Sequence, residues 1–153
     1  MQLLYKKRRT YKYTLAAPYC FETKWKEVPE LNTPYIELKA NGSLQIKTAY
    51  SWDGASGPMP DLASIMRASL IHDALYQLMR EQHLPASYRK AADRLLLNTC
   101  LADGMNSVLA HWVYACVRCF AQRYIKNEVI AFTPPTTYPS PSTTEQCTLT
   151  QSE

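Results

Sequence analysis

The chain changes its hydrophobic period once. In the first third, apolar and polar residues alternate: Tyr11, Tyr13 and Leu15 stand between Lys12 and Thr14, and Ile36 and Leu38 flank Glu37. A period of two marks strands with one buried face. Asn41-Gly42 follows, a dipeptide that tolerates positive φ at both central positions, so the spacing predicts a hairpin closed by a type I′ turn. Leu44 and Ile46 continue the alternation beyond the turn. The expected register therefore places Ile36, Leu38, Leu44 and Ile46 on one buried face.

From Asp61 onward the period is helical. Leu62, Ile65, Met66, Ser69, His72, Asp73, Tyr76 and Met79 fall on one face, and Asp61, after Pro60, is the expected N-cap. This predicts a first helix over about 61–80. Pro85 and Ser87 punctuate a connection to a second helix, about 87–102, whose stripe is Tyr88, Ala91, Ala92, Leu95, Leu96 and Leu101 and whose stop is Asp103-Gly104. A third helix, about 106–125, carries Val108, Leu109, Trp112, Val113, Cys116 and Phe120. Its largely apolar run, about 13 residues from Met105 to Val117, is shorter than the roughly 18 to 20 that cross a bilayer, so it reads as a core helix.

The expected fold is α+β: an antiparallel β-hairpin segment within a β-rich 10–50, a loop over 51–60, and a three-helix core with an antiparallel helix pair. Residues 1–132 are expected to form one globular unit. Residues 133–153, rich in Pro, Thr and Ser, have too few large apolar side chains to offset the entropy of ordering a backbone and are expected to be disordered alone.

Composition narrows the class only a little, since 153 residues with 46% hydrophobic and 20% charged content are ordinary globular material. The net charge of +4 is concentrated in Lys6, Lys7, Arg8 and Arg9, a run suited to phosphates or an anionic lipid surface, or else a solvated end. No apolar h-region follows Met1, which argues against a secretory signal. No nucleic-acid-binding motif is present. The cysteines are odd in number, which excludes a fully paired disulfide scaffold, and Cys116-x-x-Cys119 has no second pair at zinc spacing. Those two thiols read as small hydrophobes packed in a helical core.

Polar residues on the apolar face of the first helix are the candidate chemistry. His72 and Asp73 project about 100° apart and so serve different neighbours. A histidine acting as general base needs a carboxylate to orient its far nitrogen, and Asp93 on the second helix is the candidate. Asp73 would face the 53–58 loop, where Asp53, Gly54 and Ser56 could add oxygen ligands for a hard cation such as Ca²⁺. Zinc fits less well, because only His72 offers a placed nitrogen. The alternative is a structural network in which His72 and Tyr76 donate to carboxylates, Arg89 or Arg94 compensates Asp93, and Asp53 caps a turn. His83 is expected to be solvated, and His111 to lie in the core or a groove.

The series Trp52-Asp53-Gly54-Ala55-Ser56-x-Pro58, then Ser69-x-x-His72-Asp73-Ala74-Leu75-Tyr76, then Arg89-x-x-Ala92-Asp93, then Val117-Arg118 resembles the domain-of-unknown-function family numbered 1353, over roughly residues 10 to 125. That resemblance implies a bacteriophage setting, in the cytoplasm of an infected cell or in the virion. The HD-x-x-Y helix is also similar to that of phospholipases A2, the short parvovirus capsid enzymes in particular. This second resemblance implies His72 as water-activating base, Asp73 as calcium carboxylate, Tyr76 as supporting tyrosine and Asp93 as orienting carboxylate, although the glycine spacing of this loop differs. Two functions are therefore expected: a Ca²⁺-dependent ester or phospholipid hydrolase, or a non-catalytic virion or host-interaction protein that docks other phage proteins through its tail.

Overall fold

The computed structural model describes residues 12–55 and 62–120, with Leu3 and the backbone of Tyr5–Lys7. Its strands are β1 (Tyr5–Lys7), β2 (Tyr13–Leu15), β3 (Tyr19–Glu22), β4 (Leu31–Asn32), β5 (Ile36–Leu38), β6 (Ser43–Ile46) and β7 (Ser51–Trp52). Helices α1 (Ala63–Arg80), α2 (Arg89–Ala102) and α3 (Ser107–Phe120) follow, with a 3-10 turn, Ala86–Tyr88, leading into α2. The architecture is α+β, as the change of period implies. Tyr11, Arg8, Arg9, Ser56, Asp61, the end of the expected third helix and the 133–153 tail lie outside the described residues. Lys6 and Lys7 are part of β1, opposite Thr14 and Tyr13 of β2.

The strands form two antiparallel sheets, β1-β2-β7 and β3-β6-β5-β4. In the second, Ile36 pairs with Ile46 and Leu38 with Leu44, and all four side chains are fully buried. The turn that joins them differs from the expected type I′. Gly42 N–H donates to the Lys39 carbonyl, Lys39 N–H donates to Ser43, and only Gly42, at φ +86°, has positive φ. This is a three-residue connection with glycine in the bulge position. A Cβ on Gly42 would collide with the Trp25 carbonyl oxygen, because the Gly42 carbonyl accepts Thr23 N–H at 3.0 Å and Thr23 Oγ1 at 2.8 Å. In the first sheet the expected alternation is lost. Thr14 is buried with Tyr13 and Leu15 because β2 is the middle strand, and its hydroxyl is 2.9 Å from Ser51 Oγ on β7. Strand β7 also takes up the first residues of the expected 51–60 loop.

Helix α1 is the central element, buried around most of its circumference. Its N-cap position is Leu62, which gives no side-chain cap, rather than Asp61. At its other end Gln82 N–H reaches Met79 and His83 N–H reaches Leu78, with Gln82 at φ +60°. The end of α2 repeats this closure with Gly104 at φ +82°, Gly104 N–H on Leu101 and Met105 N–H on Cys100. Asn106 caps α3, its Oδ1 accepting Val108 N–H at 2.9 Å and Leu109 N–H at 3.4 Å.

The main core joins both sheets to α1 and the start of α2, and a second cluster packs Ile65 and Ala68 of α1 against Leu96, Cys100, Met105, Ala110 and Val113. Arg67 of α1 grips Asp103 with two bonds, of 3.0 and 2.6 Å. Two expectations about the core need correction. Leu101 is exposed, and α3 is not a core helix on all sides: Val108, Trp112 and Phe120 face solvent, while Ala110 and Val113 are the buried residues. Its polar stripe, Ser107, His111 and Arg118, leaves an apolar arc wider than the face that packs, so periodicity does not say which part of that arc is buried. For the same reason Cys119 is exposed and Cys116 only half-buried, rather than packed as core thiols.

Candidate functional site

Helices α1 and α2 pack antiparallel and bring His72 and Asp93, 21 residues apart, into contact. Asp93 is fully buried and is the hub. Its Oδ1 accepts Tyr76 O–H at 2.6 Å and lies 2.9 Å from His72 Nε2, and its Oδ2 accepts Arg118 Nη1–H at 2.7 Å. Arg89 stands 3.9 Å from Oδ2, donates to Tyr76 Oη at 3.3 Å, and donates through Nη2 to the Arg118 carbonyl at 2.6 Å. The spacing of α1 explains the pair on its face: residues four apart are stacked neighbours, and the His72 and Tyr76 rings lie 4.1 Å apart.

These contacts set the charges. Burial alone would raise the Asp93 pKa, but bonds from His72, Tyr76 and Arg118 outweigh it and hold the carboxyl below its usual value. Tyr76 is pushed far up, by burial and then by its bond to Asp93, so it stays a neutral donor. Burial lowers the His72 pKa, yet Asp73 and Asp93 together raise it above the ordinary histidine value. An ionised carboxylate at Nε2 selects the tautomer with the proton on Nε2. Nδ1 is then the acceptor nitrogen, and it lies 3.9 Å from Asp73 Oδ1, too far for a direct hydrogen bond.

Asp73 accepts no hydrogen bond among the described residues, and its side chain is 27% exposed. Its pKa is raised by burial first, with His72 and Arg80 opposing and the charge of Asp53 adding to the rise. Asp73 and Asp53 are thus within electrostatic range of each other. Trp52 fixes where the Asp53 loop begins: its indole N–H donates to Ser69 Oγ at 3.3 Å, one turn before His72 on α1. No cluster of three His, Cys, Asp or Glu close enough to hold a metal occurs among the described residues. Of the expected ligands, Asp73, Asp53 and Gly54 are described and Ser56 is not.

Sequence reasoning brought Asp93, His72 and Tyr76 together, and of its two candidate counter-ions Arg89 does lie beside Asp93, but it missed the shorter contact from Arg118. Arg118 of α3, not Arg94, bonds Asp93; Arg94 is exposed. The available signal was Arg118 as the first charge after the long uncharged run of the third helix. His111 is also exposed, its Nδ1 2.8 Å from the Ser107 carbonyl, and His83 is exposed near Glu81.

Fold and site together define a small α+β protein whose antiparallel helix pair buries a His-Asp-Tyr cluster. The chain belongs to the family described as "Protein of unknown function (DUF1353)", whose model matches residues 30–117. No curated protein and no solved structure matches it.

Proposed function

We propose that the protein is a hydrolase in which His72 activates water for attack on an ester, with phospholipid as the substrate class and a phage-infected cell or virion as the setting. One observation carries this reading: Asp93 engages His72 through Nε2, which leaves Nδ1 on the side of Asp73, 3.9 Å away. A histidine held in one tautomer by a buried carboxylate is the arrangement from which general-base hydrolysis proceeds. Tyr76 and Arg118 keep Asp93 ionised through the proton transfer. Asp93 therefore stabilises the imidazolium that forms at His72 without taking the proton itself.

Asp73 and Asp53, with the backbone at Gly54 and with Ser56 outside the described residues, would hold a Ca²⁺ ion, which when bound would supply charge stabilisation for the developing oxyanion. Asp73 and Asp53 orient the substrate side of the site relative to Nδ1, and Trp52 anchors the loop that carries Asp53. One observation favours the competing structural reading: the His72 side chain is only 9% exposed. A sealed polar network would need no more access than that.

The test is fatty-acid release from mixed phospholipid vesicles by the purified chain, with Ca²⁺ or with chelator, against His72→Ala. Release that falls about 10²- to 10⁴-fold in the variant and disappears with chelator supports the hydrolase. A folded protein that releases nothing removes this substrate class and leaves a non-catalytic interaction protein.

A further inference from the structure

Helix α3 is apolar on the side that faces water. Its buried residues, Ala110 and Val113, share one face, and helical spacing places Val108, Trp112, Ala115 and Cys119 on the opposite one. All four are exposed, Val108 at 80% and Trp112 at 46%. A contiguous apolar stripe on the solvent side of a helix marks an interaction surface. None of the described helices is long and apolar enough to cross a membrane. From Ser107 to Val117 the helix bears no Lys, Arg, Asp or Glu, whereas helices that lie on anionic lipid carry basic residues along the polar face. Its first cation, Arg118, is bonded to Asp93.

The pattern of the stripe matches itself. Turned end for end about a point between Val113 and Tyr114, Val108 falls opposite Cys119 and Trp112 opposite Ala115, so each large side chain meets a small one. The absence of charge lets the same face meet itself without repulsion. We propose that this face is a self-association surface on which two copies of the chain pair their α3 helices antiparallel about a two-fold axis, Trp112 of each packing over the partner's Ala115. Such an interface is isologous and closes at two copies. The stripe is about 16 Å long, less than the face of a standard permanent interface, so the dimer is reversible. Arg118 lies on the same helix, which ties this interface to the element that supplies the Asp93 counter-ion. The inference does not depend on the hydrolase reading.

Sedimentation velocity of the full chain from micromolar to millimolar concentration should show a reversible monomer-dimer equilibrium. Trp112→Glu should raise its dissociation constant roughly thirtyfold or more, the loss expected of a central aromatic anchor. Should that variant lose its helical circular dichroism, Ala115→Glu on the same stripe takes its place. Val108→Cys should form a covalent dimer under mild oxidation through the partner's Cys119, and this dimer should vanish when Cys119→Ser is added. A chain monomeric at every concentration overturns the proposal, as does a Val108→Cys dimer that persists without Cys119. A monomer that binds phospholipid vesicles, and fails to do so with Trp112→Glu, also overturns it and assigns the face to lipid.

Discussion

Replacing Asp93 by Asn separates the charge at the hub from its shape. Asp93 is fully buried and accepts from Tyr76 at 2.6 Å and Arg118 at 2.7 Å, with His72 Nε2 at 2.9 Å. Asn keeps one acceptor oxygen for His72 and Tyr76, but both bonds lose their charge assistance, about 0.5–1 kcal/mol each. On the other side its amide N–H₂ would face the Arg118 guanidinium, donor against donor. The charged bond there is worth about 1.5–3 kcal/mol, discounted because the Arg118 side chain is 34% exposed and regains water. The expected loss is about 2–4 kcal/mol, read as a lower urea midpoint at unchanged slope.

The same variant has a pH signature. Asp93 is held below its usual pKa in the fold, so its ionisation contributes stability that is fully present above the unfolded value of about 3.9. That contribution is lost as pH falls through the lower folded value. Asp93 also helps to raise the His72 pKa, and that contribution is fully present only below the ordinary histidine value of about 6.5. The stability difference between wild type and Asp93→Asn should therefore be largest in mild acid, between about pH 4 and 6, and narrow below about pH 4. Titrating groups that do not touch Asp93 largely cancel between the two chains, whereas His72, bonded to it, does not. A loss under about 1 kcal/mol at neutral pH, or a gap that does not narrow below about pH 4, would falsify the assignment of Asp93 as the ionised hub.

Three further substitutions test the backbone that positions the site. Gln82→Gly should stabilise the protein by about 0.5–1 kcal/mol in thermal denaturation, since Gln82 closes α1 at φ +60° where glycine is free of strain. Gly42→Ala should destabilise by about 2 kcal/mol or more in urea melts, from positive φ together with the clash against the Trp25 carbonyl. Asn106→Ala should lose about 1 kcal/mol in the same measurement, because the cap on Val108 N–H and Leu109 N–H goes; an unchanged midpoint there would mean that α3 does not depend on its cap.

What this sequence determined by itself is whatever depends on neighbours along the chain. The period of two set one apolar face on each strand, Ile36 with Leu38 and Leu44 with Ile46, and the three-residue turn, one residue longer than a type I′ loop, is what aligned the two faces on the same side. The helical period and Asp103-Gly104 likewise marked the end of α2. His72 and Tyr76 share a face because they are one turn apart, and a short connection between antiparallel helices made Asp93 the reachable carboxylate.

The tertiary structure decided everything that needed a second element of unknown position. Which turn Asn41-Gly42 adopts depended on Thr23 and Trp25, far off in the chain, closing on Gly42. That the strands split into two sheets, burying Thr14, followed from long-range pairing that alternation does not encode. Arg118 rather than Arg94 neutralises Asp93 because α3 crosses the helix pair there. On α3 itself, an apolar arc wider than the packed face left the local pattern silent about which part of it is buried. Only packing against α2 resolved it, leaving Val108, Trp112 and Cys119 in water.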